Sequence, residues 1–84
     1  MSSRPNIKPG DWIHIGSVKA VVAAVREPGD SFGDCEVVFR PDKPTNHDVE
    51  WVDGKWQFAK RPDCGGYAEK YPRLRQYVDQ LKRG

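Results

Sequence analysis

Cysteine and histidine are scarce in this chain, with two of each among 84 residues. Cys35 and Cys64 are too few and too far apart for a disulfide scaffold or a zinc site, and neither belongs to a C-x-x-C pair. A reducing, cytoplasmic setting is therefore the expectation. No nucleophile elbow and no glycine-rich phosphate loop occurs. His47 and Cys64 show no spacing that would make them a base and a nucleophile. The neighbouring His47 and Asp48 are one short pair in a polar stretch, which falls short of a metal site. No catalytic residue, cofactor or metal site is expected, and the chain is read as a non-enzyme. Long apolar runs are missing too: the longest extends from Ala20 to Val25, far below a membrane span. Met1 to Asn6 carries no apolar signal core, so an unprocessed soluble chain is expected.

Charge of one sign is also in short supply. Fourteen Lys and Arg against 12 Asp and Glu leave +2, far below the footprint of a dedicated nucleic-acid binder. The excess is local, because residues 61–84 hold six basic residues against three acidic ones. What the chain does contain is 37% hydrophobic residues, nine aromatics, eight Gly and seven Pro. That is enough for one small core with many turns, and the length excludes a second domain.

Residues 1–9 hold two prolines and no periodicity, which predicts a poorly ordered lead-in to a single domain at 10–84. Asp11 to Ile15 alternates, placing Ile13 and Ile15 on one face and Trp12 and His14 on the other. After a turn at Gly16 to Lys19, the run Ala20 to Val25 has the character of a strand covered on both faces. Pro28 to Asp34 is turn chemistry. Cys35, Val37 and Phe39 then alternate with Glu36, Val38 and Arg40, so the third strand is expected to bury the first set. Pro41 to Asp48 reads as a polar loop stiffened by two prolines.

Asp53-Gly54 is a preferred two-residue hairpin turn. It predicts Val52 opposite Lys55, Trp51 opposite Trp56, Glu50 opposite Gln57 and Val49 opposite Phe58. The loop from Arg61 to Gly66 leads to a short turn at Tyr67 to Lys70. Pro72 then opens a helix over about 72–83. Leu74, Tyr77, Val78 and Leu81 fall at i, i+3, i+4 and i+7 and form one apolar stripe.

These elements predict a mainly β fold, a five-stranded small antiparallel barrel with one C-terminal amphipathic helix. The segment Lys8-Pro9-Gly10-Asp11-Trp12-Ile13-His14-Ile15 resembles the opening Gly-Asp-x-Val-x-Val pattern of KOW-type domains, which are Src-homology-3-like small barrels. The resemblance implies the barrel only, since Gly16 is followed by Ser17-Val18-Lys19-Ala20-Val21 where that family carries further glycines in its RNA-contacting loop. Pairing Ile15 with Ala20 would put Ile13, Ile15, Ala20, Val22 and Ala24 on one face. Trp12, His14, Val21, Ala23 and Val25 would then form a second face too apolar for water. The helix stripe is expected to cover it, worth about 6 to 10 kcal/mol before entropy. Trp12 is either part of that seam or a binding anchor.

A non-catalytic interaction module is the expected function, with another protein as partner. Its contact residues would be Pro41, Asp42, Lys43 and His47 in the polar loop and Tyr67 and Tyr71 in the connection before the helix. The alternative is an RNA or ribonucleoprotein contact through Arg61, Lys70, Arg73, Arg75, Lys82 and Arg83. On the helix, Asp79 stands four residues from both Arg75 and Arg83, which suits ordinary helix ion pairs as well as a phosphate track.

Overall fold

Alternating apolar residues become five antiparallel strands in a computed structural model that describes residues 4–28, 30–60 and 66–84. They are β1 (Trp12–Ile15), β2 (Val18–Val25), β3 (Cys35–Phe39), β4 (Thr45–Val52) and β5 (Lys55–Phe58), paired in chain order. β1 and β5 approach one another at the far side, so the sheet is a nearly closed barrel. A sixth, two-residue strand, β6 (Gly66–Tyr67), adds to β4. Two 3-10 turns, Ala68–Lys70 and Pro72–Leu74, lead into helix α1 (Arg75–Arg83). Pro72 occupies the first position of its turn, where a missing N–H costs nothing.

The β4–β5 hairpin has the register that its Asp-Gly turn dictates, with Val49 opposite Phe58 and Trp51 opposite Trp56. Asp53 and Gly54 take φ of 52° and 78°, the left-handed pair that such a turn requires. Trp51 and Trp56 meet edge to face with centroids 5.0 Å apart. Between β1 and β2 the turn is tighter than expected. Ile15 pairs with Val18 and Ile13 with Ala20, not Ile15 with Ala20, because Gly16 adopts φ 63° and the chain reverses over Gly16 and Ser17. The shift is by two residues, so each side chain keeps its face.

Two apolar clusters lie on the two sides of the sheet. Inside the barrel are Ile13, Ile15, Ala20, Val22, Cys35, Val37, Phe39, Val49 and Trp56. On the outer side, Val21, Ala23 and Val38 pack against Ala68, Leu74, Val78 and Leu81, with Trp12 and Tyr77 at the edge. The helix stripe thus covers the second face, and Trp12 belongs to that seam, with Lys19 Nζ 4.4 Å above its ring. A bulge between Val22 and Ala24 changes the end of β2: Val25 packs on the barrel side, not on the helix side.

Two further expectations are corrected. The loop after β3 is short, because Thr45 to Asp48 belong to β4 instead of the polar loop. β3 pairs along one edge of these residues and β6 reaches Thr45 and Asn46 along the other. Glu36 is buried rather than solvent-facing. In the lead-in, Ile7 packs on the barrel cluster, and Arg4 donates to the Arg26 carbonyl at 2.7 Å and pairs with Asp34 at 3.1 Å.

Candidate functional site

Arg40 to Pro44 makes a tight turn in which the Lys43 N–H donates to the Arg40 carbonyl at 3.1 Å. Pro41, the second residue of that turn, has the fixed φ that this position favours. Thr45 Oγ1 donates to the Lys43 carbonyl at 2.9 Å and holds the turn against the start of β4. Directly beside it, Tyr67 of β6 pairs with Thr45, and the Ala68 N–H donates to the Pro44 carbonyl at 3.0 Å. Two segments more than twenty residues apart in sequence are thereby joined by backbone hydrogen bonds into one surface.

A groove of about 290 Å3 lies on that surface, lined by Asp42, Lys43, Pro44, Tyr67 and Glu69. Pro44 is buried, whereas Tyr67 is 50% exposed. Lys43 Nζ and Lys70 Nζ lie 5.2 and 5.4 Å from the Tyr67 ring centroid. Glu69 connects this groove to a second one of about 240 Å3, lined also by Arg75, Val78, Asp79 and Lys82. Lys82 approaches Glu69 at 3.8 Å.

Tyr71, 42% exposed, stands next along the chain with the Arg73 guanidinium 5.3 Å from its ring centroid. Arg73 is otherwise engaged in structure. Its Nη1 and Nη2 donate to Glu36 Oε1 and Oε2 at 2.6 and 3.2 Å, and Asn46 Nδ2 donates to Glu36 Oε2 at 3.1 Å. The hydrogen bond to Glu36 raises the Arg73 pKa above its ordinary value. A buried carboxylate needs such partners, and the pair clips the segment before α1 to the outer face of the sheet.

Of the expected contact residues, the structure brings Asp42, Lys43 and Tyr67 together, with Pro41 exposed in the same turn and Tyr71 nearby in the chain. It does not bring in His47. That ring lies further along β4, edge-on to Phe58 at 5.1 Å, with Nδ1 2.8 Å from the Asp48 carbonyl oxygen. The basic set is dispersed: Lys70 flanks Tyr67, Arg73 holds Glu36, Arg75 and Lys82 share a groove with two carboxylates, and Arg83 ends α1. Arg61 and Cys64 lie outside the described residues. Pro44 and Glu69 escaped the sequence reading, although both sit in segments that it had marked.

Burial and the nearby Asp34 carboxylate push the Cys35 thiol up to about 12, so it stays protonated at neutral pH. Among the described residues no three His, Cys, Asp or Glu side chains are grouped to hold a metal ion, and no helix is long and apolar enough to cross a membrane. Compared with known proteins, the chain matches no family model, no curated protein and no solved structure.

Proposed function

We propose that this chain is a non-catalytic interaction module that binds a protein partner through the Arg40–Pro44 turn and the Tyr67–Tyr71 connection. The observation carrying this reading is the pairing of β6 with the start of β4, which sets a half-exposed tyrosine beside a proline-containing turn over a defined groove. Exposed tyrosines held on a rigid backbone are frequent anchors of protein interfaces. Acidic side chains between the basic ones, Asp42, Glu69 and Asp79, would repel a continuous phosphate backbone. The nearly closed five-stranded barrel is compatible with the Src-homology-3-like class, and the Gly10 to Ile15 segment supports the KOW-type resemblance. A reducing, cytoplasmic location fits the buried, unpaired Cys35.

Affinity capture with the wild-type chain, Tyr67→Ala and Lys55→Ala tests the reading, since Lys55 is exposed on the hairpin away from the groove. A partner retained by wild type and Lys55→Ala and lost with Tyr67→Ala is the expected result. Equal retention by all three would refute it. The second reading, an RNA or ribonucleoprotein contact, is favoured by Lys43 and Lys70 close to the exposed aromatic ring of Tyr67. It predicts oligonucleotide binding that weakens steeply with salt, and a flat fluorescence titration at low salt eliminates it.

A further inference from the structure

The Tyr67 surface and the helix seam share their supports. Ala68 is fully buried in the outer cluster with Leu74, Val78 and Leu81, yet its N–H is also the donor to the Pro44 carbonyl that holds the surface together. A polar link runs beside it. Asn46, the partner of Gly66 in the β4–β6 pairing, donates to Glu36, which Arg73 grips from the turn just before α1. β6 pairs through two residues and α1 has nine. Neither is long enough to persist away from the sheet. The barrel interior does not depend on them, since among the described residues its buried cluster lies wholly between Ile13 and Trp56.

We propose that residues 66–83 form one cooperative unit that opens and closes on a barrel that stays folded, so that docking of α1 is what assembles the Tyr67 surface. Resting on the protein-binding reading above, this makes α1 the regulator of that site. In the closed unit Ala68 is buried and Tyr67 stands beside the Arg40–Pro44 turn. In the open one, Leu74, Val78 and Leu81 leave Val21, Ala23 and Val38, the Arg73–Glu36 pair parts, and β6 leaves β4 in the same event. A partner seated on Tyr67 therefore binds the closed form alone. By linkage it tightens α1 by the same factor by which docked α1 favours the partner. Conversely, a molecule that takes the apolar stripe of α1 removes the Tyr67 surface without touching it.

Amide hydrogen exchange of the full chain, followed residue by residue by NMR, tests this with no partner present, because a slow amide reports the opening constant of the unit it belongs to. Leu81→Ala removes a buried contact near the C-terminal end of α1, outside the Tyr67 surface. It is expected to speed the α1 amides on the order of a hundredfold, and the Ala68 amide by the same factor. Arg73→Met, acting through Glu36, should speed both by about twentyfold, and it carries the test if Leu81→Ala folds too weakly to measure. Ile15→Val, inside the barrel, should speed the slowest β2 and β3 amides roughly fivefold and leave Ala68 and α1 unchanged. If Leu81→Ala or Arg73→Met speeds α1 but not Ala68, β6 opens by itself and the coupling falls. If Ile15→Val speeds Ala68 and α1 as well, the domain opens as a whole and no separate unit exists. The protein-binding reading survives either result, since the capture experiment with Tyr67→Ala decides it.

Discussion

Replacing Arg73 with Met would leave the Glu36 carboxylate buried against the outer face of the sheet with Asn46 as its one remaining side-chain donor among the described residues. In the native chain the two guanidinium hydrogen bonds, at 2.6 and 3.2 Å, reach a carboxylate whose side chain is 7% exposed. Removing one partner of a fully enclosed ion pair costs about 3 to 5 kcal/mol. Here the Arg73 side chain is 57% exposed. Water can therefore reach the vacated side, and the screening roughly halves the effect, to about 2 kcal/mol. For a domain of this length that lowers the thermal midpoint by about 8 to 16 °C. Urea denaturation followed by tryptophan fluorescence would measure it. The double substitution Glu36→Leu with Arg73→Met should recover most of the loss, because it removes the stranded charge along with its partner. A single Arg73→Met variant within about 0.5 kcal/mol of wild type, or a double variant no better than the single, would refute the idea that the clip holds the helix segment down.

Leu74 is the most deeply buried residue of the helix stripe, and Leu74→Ala should cost about 3 kcal/mol in the same denaturation assay. Gly33 takes φ 110°, and a methyl group there would sit 2.8 Å from the Val49 carbonyl oxygen, the acceptor of the Asp34 N–H. Gly33→Ala is therefore expected to cost at least about 2 kcal/mol. In a Cys64→Ser background, Cys35 should resist a thiol reagent at pH 8 until urea unfolds the chain. Its folded pKa of about 12 lies above the ordinary 9.0, so the unfolded thiol loses its proton first. The stability from the neutral buried thiol is complete below pH 9 and is lost as pH rises toward 12. Cys35→Ala should remove that part of the alkaline slope.

The hairpin was legible residue by residue because its turn is two residues long and fixes the register of everything beside it. The helix stripe was legible for a similar reason, since a period of 3.6 is visible in sequence and only one apolar sheet face needed covering. Glu36 was not, because its partner Arg73 lies 37 residues away and nothing local says that the chain returns there. Thr45 to Asp48 look like loop by composition. Strand propensity depends on what pairs at each edge, and here β3 and β6 supply both edges. At the candidate site, Tyr67, Tyr71, Asp42 and Lys43 could be marked from sequence as exposed and turn-forming. Their convergence could not, because it depends on β6, a strand too short to leave a periodic signature.

The position of α1 also bears on how the chain is made. Val21, Ala23 and Val38 lie within residues 21–38, yet their cover, Leu74, Val78 and Leu81, is made only after residues 39–73. During synthesis the barrel strands can pair before their outer apolar face has anything to bury against. Until residues 74–81 leave the ribosome, that face is the surface on which a nascent chain can self-associate or recruit a chaperone. Contacts of such long sequence separation are slow to close. The helix therefore acts as a late, solubilising step in the folding of the barrel, and messages truncated before it should yield aggregates in place of a shorter soluble barrel.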